Sequence, residues 1–234
     1  MDVSRSRFVI TGGGSGIGAA VARLAAKRGA SVVLLGRTEA RLAAVAAEIG
    51  DAASYRVLDV ADAPAVTRAF DAIGAFDHLV TCAAGITIGR FTELPEDALR
   101  AFFEVKFWGQ ARAVRAAQPH VARAGSITLL SGYLFRKPTP GFSAFSAVNG
   151  AIEALVKVLA RELAPLRINA LAPGQIDTLR DIIGPEANEA RKGACATLPV
   201  GRIGTPEEAA HAALFLAENS FATGAVLDVD GGQQ

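Results

Sequence analysis

Apolar residues along this chain fall into two alternating patterns. Short runs rich in β-branched residues occupy 7–11, 31–35, 55–58, 78–81, 126–130, 167–171 and 225–229, and they read as strands. Between them, over 17–28, 39–49, 63–73, 95–122, 143–163 and 206–216, apolar positions recur at helical spacing. Strands that stay apolar on both faces need cover on both faces, and the alternating helices supply it as crossovers, which makes parallel pairing the expectation. The predicted fold class is α/β, a doubly wound parallel sheet of about seven strands in a single domain over 1–234. Residues 179–205 break the pattern with Gly184, Pro185, Gly193, Pro199, Gly201 and Gly204, and are predicted to form a mobile loop or flap on the substrate side.

Composition agrees with a packed domain: 51% of the 234 residues are hydrophobic and 20% charged. A net charge of +1, with both signs interspersed, gives no footprint for nucleic acid or for an anionic membrane surface. The N-terminus runs from arginines straight into a strand with no apolar signal region, and no stretch approaches eighteen uncharged apolar residues, so a cytoplasmic protein is expected. Cys82 and Cys195 lack metal-ligand spacing and read as buried thiols; His78, His120 and His211 are far apart, so no metal site is expected.

The first strand runs into Thr11-Gly12-Gly13-Gly14-Ser15-Gly16-Ile17-Gly18, where a helix begins. Glycines let the backbone turn tightly and let a pyrophosphate approach the main chain, while the helix N-terminus offers free N–H groups and partial positive charge. Strand, glycine turn and helix in that order predict a Rossmann-type dinucleotide site. The second strand ends in Gly36-Arg37, without the acidic residue that would bond the ribose hydroxyls of NAD. A small residue leaves room for a 2′-phosphate and a guanidinium can grip it, so NADP(H) is preferred over NAD(H); the alternative is a merely solvated Arg37.

These residues resemble the short-chain dehydrogenase/reductase superfamily over nearly the whole chain. TGGGSGIG at 11–18 is similar to its TGxxxGIG turn, Asp59-Val60 to its adenine-contacting pair, and Cys82-Ala83-Ala84-Gly85 to its NNAG motif with the first Asn replaced. Pro173-Gly174-Gln175-Ile176-Asp177-Thr178 resembles its PGxxxT segment at the nicotinamide carboxamide, and Thr223-Gly224 with Val229-Asp230-Gly231-Gly232 its terminal strand. The resemblance implies coenzyme contacts from Gly12, Gly14, Ser15, Gly16, Ile17, Gly18, Arg37, Asp59, Val60, Ala83, Ala84, Gly85, Asn149, Pro173, Gly174, Ile176 and Thr178. It also implies a homodimer or homotetramer through the helices at 95–122 and 143–163, with Phe102, Phe103, Phe107 and Trp108 as interface or core residues.

That family carries a Tyr-x-x-x-Lys pair, a Ser about a dozen residues earlier and an Asn on the preceding helix. Here the matching positions hold Phe145, Asn149, Gly132 and Lys106, so all four roles are substituted. A positioned general acid contributes about 10²–10⁴-fold to a carbonyl reduction, and Phe145 has no proton to give. Tyr133-Leu134-Phe135-Arg136-Lys137 is a literal Tyr-x-x-x-Lys, but Pro138 and Pro140 predict an extended loop in which the two side chains share no face. Lys106, Tyr133 and Ser131 stay as candidate substitutes for the catalytic roles, with Tyr133 also a candidate pocket residue. Lys106 reads first as a surface or ion-paired lysine with Glu104 as partner; the alternative is a buried lysine of lowered pKa that polarises an oxygen or relays a proton. Three functions follow: an atypical NADP(H)-dependent oxidoreductase acting on a small molecule, a catalytically silent NADP(H) sensor or partner subunit, and a scaffold that binds no nucleotide.

Overall fold

The computed structural model describes residues 2–178 and 184–233. Seven strands, β1 (Arg7–Thr11), β2 (Ser31–Gly36), β3 (Ala53–Val57), β4 (Phe76–Thr81), β5 (Val121–Leu130), β6 (Arg167–Pro173) and β7 (Val226–Val229), form one sheet in the order β3-β2-β1-β4-β5-β6-β7. Every neighbouring pair is parallel, as the continuous apolar runs predict. The order reverses direction between β1 and β4, and a crevice at the carboxyl ends of the strands opens there.

Helices cover both faces. On one lie α1 (Gly16–Lys27), α2 (Glu39–Ile49) and a late helix, α8 (Pro206–Glu218), around Phe8, Ile10, Leu34 and Leu214. On the other lie α3 (Ala63–Ile73), α5 (Gly109–Ala117) and α6 (Ser143–Glu162), around Phe70, Leu79, Ile127 and Ile152. α6 is long and apolar enough by composition to cross a membrane, yet its Val148, Ile152 and Val156 face are core residues against the sheet.

Four sequence expectations need correction. The helix expected over 95–122 is α4 (Glu96–Phe103), a π-helical turn (Glu104–Trp108) and α5, after which β5 begins at Val121, five residues before the expected strand. Of its aromatic residues, Phe102 is buried, Phe103 and Phe107 pack partly against the core, and Trp108 is half exposed. The region expected to be a loop contains an eleven-residue helix, α7 (Pro185–Cys195), started by Pro at its first position; residues 179–183 lie outside the described residues. Tyr133–Phe135 is a turn of 3₁₀-helix rather than extended chain, with the N–H groups of Arg136 and Lys137 both donating to the Tyr133 carbonyl. Proline at 138 disfavours helix only at Lys137, so one turn still fits before it.

Phe70 is fully buried between α3 and the sheet beside Phe76. Phe70→Ala is expected to cost about 3–5 kcal/mol, read as a lower urea midpoint at an unchanged slope.

Candidate coenzyme and active site

The turn after β1 owes its shape to glycine. Gly12 has φ +70°, and a Cβ there would stand 2.6 Å from the Cys82 carbonyl carbon; a Cβ on Gly18 would stand 2.3 Å from the Gly12 oxygen. The chain therefore passes against the end of β4 and α1 packs onto its own turn, which no larger residue permits. Ser15, the N-cap of α1, makes no side-chain cap and no acid lies in the first turn. By contrast, Asp62 caps α3, and Thr205 with Glu208 forms a capping box on α8. Only α1 of these three leaves its first N–H groups and partial positive charge open to an anion, and it does so into the crevice.

All the residues expected at the coenzyme line this one cleft of about 460 Å³, from Gly12 through Arg37, Asp59, Ala83 and Asn149 to Thr178. On the β2 and β3 side, Gly36 and exposed Arg37 are joined by Arg41 from the first turn of α2. Among the described residues neither arginine has a carboxylate partner. Asp59 turns a carboxylate oxygen back to the Ala61 N–H at 2.9 Å, and Val60 is buried against Gly109. Thr178 hangs over the glycine turn, its methyl 3.2 Å from where a Gly16 Cβ would lie.

The far side of the cleft, at the ends of β4, β5 and β6, holds Lys106, Gly132, Phe145 and Asn149. Lys106 is not on the surface, and Glu104 is paired instead with Arg112. The π-helical turn rotates Lys106 inward until it is 4% exposed, and its Nζ donates to the carbonyls of Leu130 and Ser131, each at 3.2 Å. Burial lowers its pKa from 10.5 to about 8, and the neighbouring Cys82, whose thiol burial pushes up to about 12, stays neutral. The next carbonyl, Gly132, accepts from Asn149 Nδ2 at 3.1 Å. Gly132 has extended φ, so glycine is there for space: a Cβ would stand 2.9 Å from Asn149 Nδ2. Because a carbonyl pairs only with the amide end of Asn149, Oδ1 is the free end, and it is buried without a hydrogen-bond partner.

Phe145 lies in an aromatic wall, 4.7 Å from Phe102 and 6.1 Å from Phe142 between ring centroids. The Ser131 hydroxyl donates to Glu153 at 2.7 Å, and Glu153 is paired with Arg136, which also holds Asp228. Tyr133 lines the cleft, and its hydroxyl accepts from Gln175 Nε2 at 2.8 Å, while burial raises its pKa. Lys137 is exposed and does not line the cleft. From α7, Arg191 reaches the same wall and bonds the Gln175 side chain and the Ile176 carbonyl; Asp177 pairs with Lys192. Arg41, Gln175, Arg191 and Glu153 escaped the sequence reading. Of these Arg41 had the nearest signal, a second guanidinium shortly after Arg37 and in the first turn of α2.

A family model described as enoyl-(acyl carrier protein) reductase matches residues 12–234. Galactitol 2-dehydrogenase (L-tagatose-forming) of Cereibacter sphaeroides is 38% identical over 236 residues, covering 95% of this chain and 92% of that protein. The chain belongs to the short-chain dehydrogenase/reductase family. Among solved structures of this family, a short-chain dehydrogenase/reductase family protein superposes with a TM-score of 0.89 at 34% identity, covering 99% and 98% of the two chains. A small-chain dehydrogenase crystallised in complex with NADPH superposes with a TM-score of 0.82 at 34% identity, covering 97% and 98%. This short-chain dehydrogenase/reductase thus has the family's fold throughout.

Between pH 8 and 10.5 the unfolded chain keeps on Lys106 a proton that the folded chain has lost, so this residue makes stability rise with pH across that window. Relative to Lys106→Met, the wild type is expected to gain on the order of 3 kcal/mol over that range. Urea unfolding at a series of pH values measures it, and parallel curves for the two proteins would contradict a buried titrating lysine.

Proposed function

We propose that this chain is an NADP(H)-dependent oxidoreductase that works without a tyrosine–lysine acid pair, on a small molecule whose reduced form is a stabilised anion, such as a conjugated or quinone-like carbonyl. The observation that carries the coenzyme reading is the open N-terminus of α1 facing one cleft with the unpartnered Arg37 and Arg41. The fit has independent support in a turn where added Cβ atoms would collide and in a free buried acceptor on Asn149. The similar small-chain dehydrogenase with NADPH bound also supports the phosphorylated coenzyme.

Bound there, the coenzyme supplies a hydride. The chain's own groups supply position and field. Phe145 gives an apolar wall and no proton, and the Ser131 hydroxyl is spent on Glu153 rather than on a substrate oxygen. The charge on a reduced conjugated oxygen is spread over the substrate, so its protonation can wait for water and no side-chain acid is required. Purified protein is expected to oxidise NADPH with enones or quinones and not with simple ketones. Faster turnover of simple ketones would overturn the acid-free reading. Arg37→Asp is expected to weaken NADPH by about tenfold or more while changing NADH little, because only the former loses a charge-assisted phosphate contact; equal losses in titration calorimetry would contradict the NADP(H) assignment.

The engaged Ser131 hydroxyl and the protonless ring of Phe145 also favour a second reading, a catalytically silent NADP(H)-binding sensor or partner subunit. Tight NADPH binding with no turnover on carbonyls, enones, imines or quinones would select it.

A further inference from the structure

Resting on the NADP(H) reading above, we propose that Lys106 and Asn149 together seat the nicotinamide half of the coenzyme, and that the ammonium of Lys106 makes the cleft hold NADPH more tightly than NADP+. The strand order fixes which end of the cleft this is. With pyrophosphate at the α1 N-terminus after β1, and the 2′-phosphate at Arg37 after β2, the remaining half of the molecule must cross toward the ends of β4, β5 and β6. Lys106 and Asn149, from two different helical segments, are two polar side chains held there by the carbonyls at the end of β5.

They form a donor and acceptor pair on consecutive carbonyls. An ammonium has three N–H donors. Two of those on Lys106 go to Leu130 and Ser131, and the residue lines the cleft with the third unassigned. Asn149 is 1% exposed, its Nδ2 is spent on Gly132, and its Oδ1 is an orphaned acceptor in the same cleft. An orphaned buried acceptor is costly unless a ligand donates to it. A ribose diol answers both groups, one hydroxyl accepting from Nζ and the other donating to Oδ1.

The charge follows from what surrounds Lys106. Among the described residues no carboxylate pairs with it: Cys82 is a neutral thiol, Gln110 is uncharged, and the nearest acid through Ser131, Glu153, is held by Arg136. The nicotinamide ring is cationic when oxidised and neutral when reduced. An uncompensated buried cation beside it repels the oxidised form, and in a desolvated cleft that repulsion is weakly screened. The cleft is therefore set to take up the reduced coenzyme and to release the oxidised one.

Titration of wild type, Lys106→Gln and Asn149→Leu with NADPH, NADP+ and adenosine 2′,5′-bisphosphate, which lacks the nicotinamide half, tests this without a substrate. Lys106→Gln keeps two N–H donors for the strand carbonyls and removes the charge, so it is the variant expected to stay folded. Wild type is expected to bind NADPH about tenfold or more tightly than NADP+. In Lys106→Gln the two affinities should converge to within about twofold, and Asn149→Leu should weaken both coenzymes alike; neither variant should change the bisphosphate. Equal wild-type affinities, a ratio that survives Lys106→Gln, or coenzyme binding untouched by Asn149→Leu would overturn the proposal. If the wild type binds neither the coenzymes nor the bisphosphate, the NADP(H) reading itself fails.

Discussion

A parallel sheet ends all its strands' carboxyl termini on one edge, and the carbonyls there that leave the ladder need donors from elsewhere. At the end of β5 this requirement falls on Leu130, Ser131 and Gly132. Lys106 serves the first two, Gln110 shares the first, and Asn149 serves the third. The site's geometry on that side is thus the way the backbone of one strand end is satisfied. Lys106 can do this only because the helix between Glu96 and Ala117 takes a π-helical turn there, which rotates one side chain inward.

Lys106, Gly132, Phe145 and Asn149 consequently work as a set. Gly132 leaves the space that the Asn149 amide fills, and Asn149 in turn holds the Gly132 carbonyl. Phe145 is accommodated because Phe102 and Phe142 already make that wall aromatic. Returning a hydroxyl to position 132 alone would push against Asn149, and a tyrosine at 145 would place its oxygen within a cleft now shaped by apolar rings. The carboxylate of Glu153, one turn beyond Asn149 on α6, is balanced by Arg136 and closes off the Ser131 hydroxyl from behind.

Much of this was legible in the sequence. Short apolar runs located all seven strands and period-3.6 runs the main helices; in β1, β2, β4, β5 and β6 those runs are the buried segments, whereas β3 is mostly exposed and β7 half-buried. The glycine turn was legible because its glycines crowd into eight positions between a strand and a helix, although the contact that demands Gly12 comes from Cys82, far along the chain. Lys106 was misread because its environment is built by Leu130 and Ser131, more than twenty residues away, and nothing local to Glu104-Val105-Lys106 announces a π-turn. α7 was missed because Gly184 and Pro185 look like loop punctuation, whereas here they start a helix that Lys192–Asp177 and the Arg191 contacts dock onto the cleft.

The cations of the cleft divide the labour of binding by their burial. Arg37 and Arg41 are exposed, so their attraction for phosphate is screened by salt and acts chiefly as affinity for anything phosphorylated. Lys106 sits where screening is weak and, among the described residues, has no carboxylate partner, so its field acts strongly on whatever lies against it. Keeping an uncompensated lysine there costs stability when it is charged, as its lowered pKa records. That cost is tolerated at a group whose two strand carbonyls offset part of the lost hydration, and it leaves the rest of the charge free to act on a ligand.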